Sequence, residues 1–229
     1  MSTLLKICLL CTMLVGLTAC GGGTNSTDTY YEPVPDYKLF PVGYFTPGYH
    51  QDYHLTGYDT LGRNYTGNYH VVSNTSTYFD GEYNIPVTFT TSLTSDFGSS
   101  ETKSITQFYS NQNYRLYQNG SENLITGEVS FAEHLDQIPA FAYIGDSGRV
   151  GSYIMSSGKS VIKNWQINDA GFGAAKLVFI SSTYDVYDHL ETLYEKTLEI
   201  NQYGDIYSLK IVHYNAGNGV YTYLEGTPE

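Results

Sequence analysis

From Tyr49 onward the chain is written in runs of about ten residues whose side chains alternate in character and which end at turn residues. A two-residue period suits a strand, where successive side chains leave opposite faces of a sheet, and helical spacing is scarce. In "YHQDYHLTGY", Tyr49, Tyr53 and Leu55 alternate with His50, Asp52 and His54. "NYHVVSNTSTYF" runs into Asp80-Gly81, a strong hairpin dipeptide, and "NIPVTFTTSL" follows. "ETKSITQFYS" and "NYRLYQNG" continue the pattern. "LETLYEKTLEI" sets Leu190, Tyr194, Leu198 and Ile200 on one parity and Glu191, Glu195 and Glu199 on the other. It also fits a helix, but the turn "NQYGD" leads straight into "IYSLKIVHY", so it reads as a strand.

One stretch reads as a helix. In "SFAEHLDQIP", Ser130 and Glu133 form a capping box, Phe131, Leu135 and Ile138 share a side, and Pro139 stops the turn. It falls between two halves that echo one another. "GYDTLGRNYTGNY" resembles "IGDSGRVGSY", and "VTFTTS" resembles "LVFISS" at a similar offset, an internal duplication of about 85 residues. The expected class is all-β and mostly antiparallel: two similar sandwich or half-barrel-like halves, 37–127 and 128–229, with at most one or two short helices.

The amino terminus has a different character. Lys6 is followed by an apolar run from Ile7 to Leu17, too short for a membrane span of roughly 20 residues but suited to a secretory signal over 1–19. Leu17-Thr18-Ala19-Cys20-Gly21 resembles a bacterial lipobox. That resemblance implies cleavage before Cys20, lipidation of its thiol and new amino terminus with palmitate-type acyl chains, and attachment to the membrane. Gly21 after the cysteine resembles lipoproteins sent on to the outer membrane. Residues 20–36, "CGGGTNSTDTYYEPVPD", read as a lipidated flexible tether. Acyl chains at about 0.8 kcal/mol per buried CH₂ anchor a protein without a membrane helix.

Cleavage would remove Cys8 and Cys11 and commit Cys20 to lipid, leaving no thiol for a disulfide, a thiolate metal site or a nucleophile. The remaining 210 residues hold 10 basic and 23 acidic side chains, which excludes nucleic acid as a partner because phosphate binding needs a basic face. The 24 tyrosines suit half-buried sheet faces and contact surfaces.

"YIGDSGRVG" contains Gly-Asp-Ser-Gly, the phrase that carries the nucleophile in trypsin-like serine proteases. A serine nucleophile also needs a histidine, an aspartate and an oxyanion site, and no upstream histidine stands in a comparable context. If the duplication holds, the phrase marks the same turn as Gly57–Arg63: Asp59 and Asp146 cap it, Gly62 and Gly148 take positive φ, and Arg63 and Arg149 pair with the aspartates. Ser147 is thus a turn residue rather than a catalytic one, and Asp80 and Gly81 form a further turn. "IPAFAYIGDSGRVGSY" as a whole resembles uncharacterised bacterial envelope lipoproteins, which bears on location and fold only.

No cofactor or metal site is expected. His50 and His54 on one strand face stand about 13 Å apart, too far to share one ion at about 2.1 Å. Trp165 in "IKNWQI" reads as core. The expected function is a lipid-anchored, non-catalytic binding, structural or assembly-accessory module, with an envelope protein or polysaccharide as partner. The competing expectation is an envelope hydrolase built on Ser147 or a carboxylate pair.

Overall fold

The computed structural model describes residues 36–112 and 115–229, so the signal segment 1–19, the lipidation position Cys20 and all of the tether but Asp36 lie outside the described residues. Among the described residues fifteen strands follow one another: β1 (Tyr37–Lys38), β2 (His50–Asp59), β3 (Asn64–Ser73), β4 (Thr77–Phe79), β5 (Glu82–Ser95), β6 (Ser100–Gln112), β7 (Arg115–Asn123) and β8 (Val129–Leu135). Then come β9 (Phe141–Ala142), β10 (Ser147–Met155), β11 (Ser160–Gly171), β12 (Ala174–Tyr184), β13 (Leu190–Ile200), β14 (Ile206–Asn215) and β15 (Val220–Pro228). Twelve of them form one closed antiparallel barrel in which almost every strand pairs with its sequence neighbours. The last strand closes on the first, from Thr222 opposite Asp59 to Pro228 opposite Tyr53. The class is therefore all-β and antiparallel, as the alternation requires.

The two segments do not form separate sandwiches. Residues 37–127 and 128–229 each supply one arc of a single barrel, joined where β7 pairs with β8 and where β15 pairs with β2. The stretch 130–139 corrects the helix expectation: β8 covers Val129–Leu135, held between β7 and β10. Its backbone groups find ladder partners on both sides, and that cross-strand pairing overrides a local capping signal. Among the described residues there is no helix.

Side-chain parity divides inside from outside. On β11 to β14, Ile167, Leu177, Leu198 and Leu209 stand opposite one another in register, pointing inward and buried. Outward positions are polar over much of the wall. Hydroxyls pair across β5 and β6, Thr88 with Thr106 and Thr90 with Ser104, each at 2.9 Å. The hairpin between β4 and β5 turns on Asp80 and Gly81, both at positive φ (47° and 85°), the two-residue turn that matches strand twist.

A barrel of about eight strands is filled by its own side chains, whereas one of about sixteen leaves a water channel. At twelve strands the interior is wider than its own side chains fill throughout, and residues 37–49 pack into one end. β1 pairs with β9 in a small separate sheet, and the Lys38 and Leu39 amides donate to the carbonyls of Gln202 and Ala140. Gly204 lies so close to this strap that a Cβ there would stand 2.7 Å from the Phe40 carbonyl oxygen. Tyr44 is buried, Phe45 packs on Tyr109 at 5.1 Å, and Phe40 lies 6.1 Å from Phe179. The opposite end is ringed by the loops 60–63, 96–99, 124–128, 156–159, 185–189 and 216–219.

Leu177 is wholly buried at the plugged end, so Leu177→Ala should destabilise the protein by about 2–5 kcal/mol in urea unfolding. Ile180→Ala, at an outward position of the same strand, should cost less than about 1.5 kcal/mol.

Candidate functional site

The barrel interior changes character over two residue rows. The row Ile167, Leu177, Leu198 and Leu209 is apolar and sealed. One step toward the open end stand Trp165, Phe179, Lys196 and Ile211, and one step further Lys163, Ser181, Tyr194 and His213. In this last row every side chain is partly exposed, although all four belong to the inner face. Solvent therefore reaches them through the open end, and from this row outward the interior is a lumen, standing above a core that still holds Phe89, Trp165 and Ile211.

Two lysines dominate it. The Lys196 ammonium lies 4.4 Å from the Phe89 ring centre, on the facing wall, and 5.5 Å from that of Phe179. Lys163 lies 5.0 Å from the ring centre of Tyr153. Aromatic faces attract cations but replace only part of the lost hydration. Lys103, Lys159 and Lys210 pair with Glu101, Glu191 and Glu225 at 3.1, 2.6 and 3.8 Å. Among the described residues neither Lys163 nor Lys196 has such a partner.

The surroundings move their proton affinity accordingly. Burial, reinforced by the charge of Lys196, pulls the Lys163 amine down to about 7. Burial alone brings Lys196 down to about 8. His213 is lowered to about 4 by burial and by Lys103, with Glu101 opposing. The acids of this region are already matched. Glu101 holds Lys103 at the open end. Asp59 accepts from the Leu61 and Arg63 amides at 2.9 and 3.1 Å, from the Arg63 side chain at 2.6 Å and from the Tyr65 hydroxyl at 2.9 Å. Burial pushes the Asp59 carboxyl up, but these bonds outweigh it and hold it below its ordinary value. The interior thus offers two cations without anions, beside aromatic rings, in a chain of net charge −12.

The positions singled out in the sequence lie elsewhere. Ser147 is the exposed first residue of β10, opposite Gln166. The histidines bonded through a ring nitrogen use the Gly48 carbonyl, Asp52, Asp136 and Asp185, not Ser147. The two Gly-Arg turns also differ. Gly62 takes φ 83° beside Asp59 and Arg63, whereas in the second turn the positive φ (95°) falls on Gly145. Gly148 lies inside β10 under Trp165, whose indole nitrogen a Cβ at Gly148 would approach to 2.8 Å. Asp146 accepts the Tyr143 amide at 2.8 Å, while Arg149 turns to Asp136 at 2.5 Å. A bulge near Val150 sets this local geometry and breaks the correspondence between the turns.

His50, Asp52 and His54 face outward on β2, and Asp52 is held by His70 at 2.6 Å. Among the described residues no three His, Cys, Asp or Glu side chains converge as a metal site. Trp165 is buried in the core cluster. The two lysines escaped the sequence reading, although both sit at apolar parity: Lys196 between Tyr194 and Leu198, Lys163 between Val161 and Trp165.

No family model matches the chain, and neither does any curated protein or solved structure.

A lysine with a lowered native pKa binds fewer protons in the folded than in the unfolded chain. Stability should therefore rise with pH from about 7 toward 9, below the range in which tyrosines titrate. Urea unfolding at pH 6.5, 7.5 and 8.5 should show this rise, and Lys163→Met with Lys196→Met should flatten it. In dimethyl-lysine NMR spectra, two signals should titrate near 7 and 8.

Proposed function

We propose that this chain is a lipid-anchored, non-catalytic binding protein of the bacterial envelope, and that its barrel receives a small ligand through the open end. The observation that carries the reading is the lumen: sealed by residues 37–49 at one end, reached by solvent at the other, and lined there by cations without counter-charges. Ligand sites are commonly concave, largely apolar and furnished with a few polar groups, and the mouths of barrels are a frequent place for them. The lipobox at Leu17–Cys20 supports the anchor and, with Gly21, an outer-membrane address. An envelope protein or polysaccharide is the partner this reading favours, and the acidic balance of the chain speaks against nucleic acid.

Ser181→Trp would fill the lumen beside Lys163 and Tyr194. Native mass spectrometry of protein recovered from envelope membranes should find a bound small molecule on the unaltered chain and none on Ser181→Trp. Cys20→Ala should move the protein to the soluble fraction. Loss of no mass on filling the lumen would contradict the ligand reading, and a membrane-bound Cys20→Ala variant would contradict the anchor.

A further inference from the structure

We propose that the lumen selects a small organic anion: an acidic head held between Lys163 and Lys196, with a flat apolar body lying against Phe89 and Phe179. This rests on the lumen being the ligand site and adds the chemistry of what it takes. The first support is charge. The lumen's acids, Asp59 and Glu101, are committed to Arg63 and Lys103 at 2.6 and 3.1 Å, while the two deeper lysines meet no carboxylate among the described residues. An enclosed cation left without an anion is costly, and removing the cost requires deprotonation or a counter-ion from outside. A ligand carrying a carboxylate, sulfonate or phosphate supplies that counter-ion, at hydrogen-bond strength raised by charge.

The second support is where the ammonium groups rest. Lys196 reaches across to Phe89 and also lies over Phe179; Lys163 lies over Tyr153. These rings come from β5, β12 and β10, three different parts of the wall. When an acidic head draws the ammonium groups to itself, the faces of Phe89 and Phe179 are freed for the ligand's body, while Tyr153 stays enclosed in the wall. Below them the row of Ile167, Leu177, Leu198 and Leu209 closes the site with apolar surface. A cationic ligand would meet like charge here, and an inorganic anion would leave the rings uncovered.

A pair of dyes separates charge from shape. 1-Anilinonaphthalene-8-sulfonate carries a sulfonate, and N-phenyl-1-naphthylamine has the same two ring systems without it. In fluorescence titrations of the mature protein at pH 6.5, the sulfonated dye should bind at least about tenfold more tightly, as a charge-assisted contact allows. Lys163→Met with Lys196→Met should bring the two dyes to the same affinity by weakening only the sulfonated one. This variant replaces enclosed charges with apolar side chains and should fold at least as stably, checked by thermal unfolding. Lys176→Met, on the outer wall, should leave both affinities unchanged.

Equal affinity for the two dyes, or a preference that survives the double lysine variant, would overturn the anion assignment. If Ser181→Trp still abolished binding of both dyes, the lumen would remain the ligand site with a different selectivity. Failure of either dye to bind in a manner sensitive to Ser181→Trp would overturn the ligand site itself.

Discussion

The pairing of β15 with β2 is the contact on which the rest depends. It runs from Thr222 opposite Asp59 to Pro228 opposite Tyr53 and turns a meander of hairpins into a closed barrel without free edges. An open sheet of this length would expose two rows of unpaired amides and carbonyls, an invitation to association. Closure also fixes the number of strands, and the number of strands fixes the width. At this width the inner side chains leave room at one end, and the chain preceding β2 folds back into it as a strap of Tyr37, Leu39, Tyr44 and Phe45 that joins the core. The plug is thus a consequence of closure, and the lumen is the space the plug does not reach.

That geometry explains why the interior tolerates lysines. In a packed core an unpaired ammonium is excluded by its desolvation cost. Here Lys163 and Lys196 keep partial contact with water through the open end while resting on aromatic faces. Their lowered proton affinity measures what remains of the cost. A group that can be neutral or charged near physiological pH, and that lacks an internal partner, has its charge state set by what enters the lumen. The acidic exterior and the cationic interior then act differently: the first disfavours nonspecific adsorption to anions, the second acts only on what fits through the mouth.

Much of the wall was legible in the sequence because period-two alternation is a local signal. β2, β5, β13 and β14 follow the expected alternating runs, and Asp80-Gly81 turns as its residues demand. β8 was misread because Ser130, Glu133 and Pro139 spell helix punctuation, and what decided its state was pairing with β7 and β10. Closure itself could not be read, since it depends on register between the first and last staves of the barrel. The two Gly-Arg turns looked alike until the bulge near Val150 sent Arg149 to Asp136. Lys163 and Lys196 were visible in principle: each interrupts an apolar parity. Polar residues are usual enough at strand margins that only the closed barrel gives the interruption meaning.

A lumen open to water and positive inside should react selectively with charged reagents. Residues 21–229 contain no cysteine, so in a protein of these residues a single Ser181→Cys reports from the inner wall alone. The rate of its modification by an anionic sulfonatoethyl methanethiosulfonate should exceed that of the cationic trimethylammonium reagent, after correction for their intrinsic rates on a free thiol. Lys163→Met with Lys196→Met should remove the difference. A thiol at 181 that reacts with neither reagent, or faster with the cationic one, would contradict the account.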